Sequence, residues 1–155
     1  MSAETGSILG AIESARSARE GIGLSHASPR DPVWEYVIDT VVAEENIDFQ
    51  AERIGMIGHS HIALFFTRPD EMSRISAAQA PEGTELDFAR GDWLVNPGSV
   101  GQPRDGDPRA AWLTLDTETM SGRFRRTEYP VEIAAAAIRD AGLPPTLAER
   151  LFGGT

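Results

Sequence analysis

The chain has 155 residues, enough for one domain with a real core, and its hydrophobic and charged fractions of 41% and 25% are ordinary for a globular protein. A net charge of -10 argues against a general nucleic-acid binder, which needs a basic surface to displace counterions. The absence of cysteine excludes disulfides and thiolate zinc sites, and the three histidines limit any metal site to imidazole and oxygen ligands.

In chain order, residues 7–19 read as a helix with Ile8, Leu9, Ile12 and Ala15 on one side, broken by Gly21 and Gly23. A strand over residues 22–25 runs into His26. Two prolines make the stretch after it a loop, and residues 33–42 are expected to start a helix. Asp39, Glu44, Glu45, Asp48 and Glu52 read as a solvated acidic surface. Residues 53–57 form a compact apolar run, a buried strand ending at Gly58-His59-Ser60-His61. A strand over 62–67 follows, then an irregular connection over 69–83. Further strands are expected at 84–88, 93–95, 111–115 and 122–129, and helices at 131–141 and 146–152. Residues 96–106 make a long glycine- and proline-rich loop, which in a compact domain is more often functional than idle. No run approaches the ~18 apolar residues of a membrane span, and residues 1–10 lack the pattern of a secretory signal. The expected location is the cytoplasm, with no membrane partner.

All three histidines lie in two short motifs. Histidine is the commonest side-chain metal ligand. His59 and His61 are two apart after a strand, so in extended backbone both side chains point the same way. His26 also sits at a strand end, where open sheets form their ligand crevices. Taken singly, each histidine is as easily a capping or packing residue. Arg30 and Arg104 are candidates to contact a substrate phosphate, or to pair with Asp31 and Asp105 and hold loops. The Asn96-Pro97-Gly98-Ser99 turn either supports the chain beneath the site or offers N–H groups to phosphate. Trp34, Trp93 and Trp112 read as core or loop anchors.

Three stretches carry a specific resemblance: Leu24 to Tyr36 (L-S-H-A-S-P-R-D-P-V-W-E-Y), Ile57 to His61 (I-G-H-S-H) and Leu94 to Ala110 (L-V-N-P-G-S-V-G-Q-P-R-D-G-D-P-R-A). With the closing strand and helix pair, they resemble the calcineurin-like metallophosphoesterase superfamily, and within it the compact bacterial phosphodiesterase branch. The resemblance implies an α/β fold, part of a four-layer α-β-β-α sandwich, with the whole chain one domain. It implies two divalent ions per complete site, manganese, iron, zinc or nickel, with His26 and His59 on one and His61 on the other. It also implies a small phosphorylated substrate, with Arg30, Asn96 and Arg104 as substrate-binding candidates, and hydrolysis of phosphate mono- or diesters by a two-metal-activated water.

The family's earlier motifs, D-x-H, G-D-x-x-D and G-N-H-D/E, do not occur in these residues. The resemblance therefore implies the C-terminal portion of the enzyme, inactive alone, with an exposed apolar edge that favours a homo-oligomer. Two other readings stand beside it. One is a mononuclear site of His26, His59, His61 and a water. The other is a non-catalytic interaction domain derived from a phosphoesterase.

Overall fold

In the computed structural model, which describes residues 14–19 and 21–155, two sheets face each other across the main core. The larger has six strands in the order β1-β2-β3-β7-β4-β5, where β1 is Ala15–Arg19, β2 Ile22–Ser25, β3 Ile54–Met56, β4 Ala63–Arg68, β5 Ser76–Gln79 and β7 Asp92–Pro97. β2, β3 and β7 run parallel, and the other neighbours are antiparallel. The smaller sheet is antiparallel in the order β6-β9-β8, with β6 Glu85–Asp87, β8 Ala110–Asp116 and β9 Ser121–Thr127.

Period-two alternation decides which face each side chain takes. Along β7, Val95 joins the cluster between the sheets, with Ile22, Ile54, Phe88 and Phe124, while Leu94 turns to the other face. There it meets Ile57, Leu64 and Phe66, which pack under Ala43 and Ile47 of α1 (Thr40–Phe49). The result is helix, sheet and sheet in layers, the α/β sandwich that the sequence implies. The helices α2 (Val131–Asp140) and α3 (Pro145–Gly153) pack on each other through Ala135, Ala148 and Leu151. The carbonyl of Gly154 accepts a hydrogen bond from Gly106 N at 2.9 Å, which ties the end of α3 to the loop that enters β8.

Three expectations are corrected. The helix over 7–19 falls partly outside the described residues, but Ala15–Arg19 is a strand. Pairing with β2 overrides the local apolar spacing, and Gly21, at φ +78°, supplies the left-handed conformation of the reversal. The helix expected from residue 33 begins only at Thr40, where Asp39 caps the N–H groups of Val41 and Val42. Before it, the chain is irregular and sinks Val37 into the core. The connection at 69–83 contains β5, whose Ser-Ala-Ala-Gln residues are all exposed. Backbone pairing with β4 alone makes it a strand, so no side-chain pattern announces it. The acidic surface is also less passive than expected: Glu45 pairs with Arg30, and Asp48 with Arg68. Among the described residues no helix is long and apolar enough to cross a membrane.

Candidate functional site

The parallel strands β2, β3 and β7 end side by side, and each delivers a residue to one rim. His26 follows β2, His59 follows β3, and Asn96 lies in the last turn of β7. Carboxyl ends of adjacent parallel strands are where α/β sheets place their ligands.

His26 Nε2 lies 3.1 Å from His59 Nδ1. With metal–nitrogen bonds of about 2.1 Å, two imidazole nitrogens in one coordination shell sit roughly 3.0–3.4 Å apart, so the spacing of this hydrogen-bonded pair matches that of two ligands on one ion. His61 Nδ1 is 2.9 Å from the Gln102 carbonyl oxygen. A carbonyl only accepts, so Nδ1 carries the proton and Nε2 keeps the free lone pair, the usual device for orienting a metal-binding histidine. Among the described residues no three His, Asp or Glu side chains converge on one point as a metal cage. His61 lies within electrostatic reach of both His26 and His59 without closing a three-ligand cage with them among the described residues.

His59 and His61 have φ of +60° and +61°, left-handed values that cost a non-glycine residue about 1–3 kcal/mol. The loop is held there by Asn96, which is fully buried. Its Nδ2 donates to Gly58 O at 2.7 Å and to Ser60 Oγ at 2.9 Å, while its Oδ1 accepts from Gly98 N at 3.0 Å. Gly98 sits at φ +90°, and a Cβ there would meet the Ala111 Cβ at 2.6 Å, so the turn requires glycine. Asn96 thus lies beneath the histidines as a positioning residue, not among groups open to a substrate.

Burial lowers the proton affinity of His59 and His61 below the ordinary imidazole value. The nearby His26 and then Arg104 reinforce this at His59, and Arg104 reinforces it at His61 against the Gln102 carbonyl. Both rings are thereby biased toward the neutral form that binds metal. Arg104 holds Gln102 Oε1 at 2.9 Å and its N–H donates to His61 O at 3.0 Å; among the described residues it makes no ion pair. Asp105 pairs with Arg126 instead. Arg30 is engaged differently, by Glu35 and Glu45 and not by Asp31.

No local pattern announces the clasp that fixes the His26 loop. Glu35 accepts from Ser28 Oγ at 2.7 Å, from Asn46 Nδ2 at 2.7 Å and from Arg30. Asn46, buried in α1, also accepts from Arg30 N at 3.0 Å. The Arg30 hydrogen bond, with those from Asn46 and Ser28, holds the Glu35 carboxyl at about 2 against an ordinary 4.5. A depressed carboxyl stabilises the fold above its unfolded value, and this is lost as pH falls through the folded one. Thermal stability is therefore expected to drop between pH about 4.5 and 2, by more in wild type than in Glu35→Gln. Parallel acid titrations of the two proteins would refute this.

No protein-family profile matches the chain. An uncharacterized protein of Methanocaldococcus jannaschii is 35% identical over 131 residues, 84% of this chain and 50% of that protein. A metallophosphoesterase from Sphaerobacter thermophilus superposes with a TM-score of 0.91 at 32% identity, covering 100% of this chain and 63% of that one. Fold and sequence similarity together support the calcineurin-like metallophosphoesterase superfamily for this chain. A hypothetical protein from Pyrococcus horikoshii shares the fold, with a TM-score of 0.68 at 19% identity over 98% of this chain and 55% of that one. The chain thus spans about half the length of the curated relative it matches, and under two thirds of the superfamily member of known structure. The likeness to a metallophosphoesterase implies use of divalent metal in general.

Proposed function

We propose that this chain carries the histidine side of a two-metal phosphoesterase site, which hydrolyses phosphate mono- or diesters. The observation that carries the reading is the apposition of His26 and His59 at 3.1 Å on the ends of adjacent parallel strands. On this reading His26 and His59 would hold one ion through Nε2 and Nδ1, and His61 Nε2 would hold the second. When bound, such ions supply Lewis acidity to the phosphate oxygens and make a bound water acidic near neutral pH. Manganese, iron, zinc and nickel all suit imidazole and oxygen donors.

The chain's own groups do the rest. The Gln102 carbonyl fixes the His61 tautomer, Asn96 holds the histidine loop in its left-handed turn, and Arg104 presents a cation to the phosphate. Turnover requires carboxylate ligands that do not converge with these histidines among the described residues, so the isolated chain is expected to bind metal weakly and to lack activity.

The test is metal binding, followed by activity of the natural full-length polypeptide on a nitrophenyl phosphodiester. His59→Ala is expected to weaken manganese or zinc binding at least tenfold by calorimetry and to abolish hydrolysis. Wild-type affinity in that variant, or an inactive full-length protein across several metals, would sink the reading.

A further inference from the structure

Trp34, which reads from the sequence as a core or loop anchor, is 73% exposed, and Tyr36 beside it is 46% exposed. Both rings lie against His59. The Tyr36 centroid is 4.3 Å away at a 44° tilt, and the Trp34 centroid 6.4 Å away nearly perpendicular. Their loop is not loose. Asp31 Oδ1 accepts from the N–H groups of Val33 and Trp34, Ala27 N donates to Pro32 O at 3.0 Å, and the Glu35 clasp lies between the two aromatics in sequence. Two large aromatic side chains therefore project from a fixed loop, open to solvent at the edge of the histidine rim, where ordering the backbone costs a ligand little. Arg104, whose charge is felt at both His59 and His61, supplies a cation on the same rim.

We infer that Trp34 and Tyr36 form a stacking platform that selects phosphoesters whose alcohol portion carries a planar aromatic ring. This rests on the phosphoester reading above and deepens it. The phosphate sits toward the histidines and Arg104, and the ring lies on the exposed aromatic faces. Stacking of this kind tolerates any flat π-system, so a nucleobase and a simple aryl group are recognised by the same chemistry.

The experiment is calorimetry on the manganese-loaded full-length protein with adenosine 5′-monophosphate, phenyl phosphate and ribose 5-phosphate. The ring-bearing ligands are expected to bind about 5- to 100-fold more tightly than ribose 5-phosphate. Trp34→Ala should remove most of that ratio, and Trp34→Phe should keep part of it. Trp112→Ala, on the outer face of β8, should leave it intact. A preference for the nucleotide alone assigns the platform to a nucleobase; a preference for both assigns it to aromatic rings in general. Equal affinities for all three ligands, or a ratio that survives Trp34→Ala, overturn the inference while leaving the phosphoesterase reading in place. Failure of all three to bind overturns both.

Discussion

Replacing Arg126 with methionine is expected to destabilise the protein by about 3–5 kcal/mol, the range for stripping one partner from a buried ion pair. The Arg126 and Asp105 side chains are 5% and 6% exposed. Arg126 also donates to the Arg109 carbonyl at 3.2 Å, so it pins the start of β8. Without it, Asp105 keeps a buried negative charge whose remaining donor is Ala63 N at 3.1 Å, and its Oδ1 has no hydrogen-bond partner even in wild type. Urea unfolding should show the loss, with a fall in Tm of order 10 °C. The cost arises from the orphaned charge more than from the lost attraction. Removing both partners, as in Asp105→Leu with Arg126→Met, should therefore recover much of it. A single variant that loses under 1 kcal/mol, or a double variant as damaged as the single, would show that the pair is not buried in this way.

Asn96→Ala should cost about 3 kcal/mol, because it strands the Gly98 N–H and takes a donor from both Gly58 O and Ser60 Oγ in a site without exposure. The larger consequence is functional. Nothing intrinsic favours φ near +60° at His59 and His61, so without the Asn96 amide the loop relaxes and the imidazoles drift. Metal affinity is expected to fall by about 10- to 100-fold, the usual cost of losing an outer support to a ligand. Chemical denaturation and metal titration of one sample separate the two effects. Lower stability with wild-type metal affinity would reduce Asn96 to a packing residue.

The strands that line the core were legible because burial imposes a pattern. The run at 53–57 and the alternation at 122–129 each name a strand within one or two residues of where it lies. β5 was not, because an exposed edge strand needs only backbone partners, and Ala15–Arg19 was read as helix because its paired residues lie three to ten positions further along the chain, where the apolar spacing of the segment itself does not register them. The His26–His59 apposition was implied by the family resemblance alone; the spacing argument for His59 and His61 assumed extended backbone, and both residues instead take left-handed φ values. The clasp around Glu35 was not legible, since it joins a loop carboxylate to Asn46 on a helix, two residues with no shared periodicity. The exposure of Trp34 has the same cause: hydrophobicity favours the core half of its core-or-loop reading, and only tertiary context can leave it on the loop.

The strand order of the large sheet also bears on how the protein folds. β2 and β3 are joined through α1, but β3 pairs with β7, so that Ile54 meets Trp93 about 40 residues later. β4 and β5 lie between β3 and β7 in sequence and pair on the far side of β7. Closing so long a loop has an entropic barrier that local contacts cannot offset, and this makes it a natural late step. His26 and His59 are brought together by the earlier pairing, whereas Asn96 arrives only with β7. The imidazole pair thus rests on the shorter of the two loop closures, and the strained turn that aims it rests on the longer one.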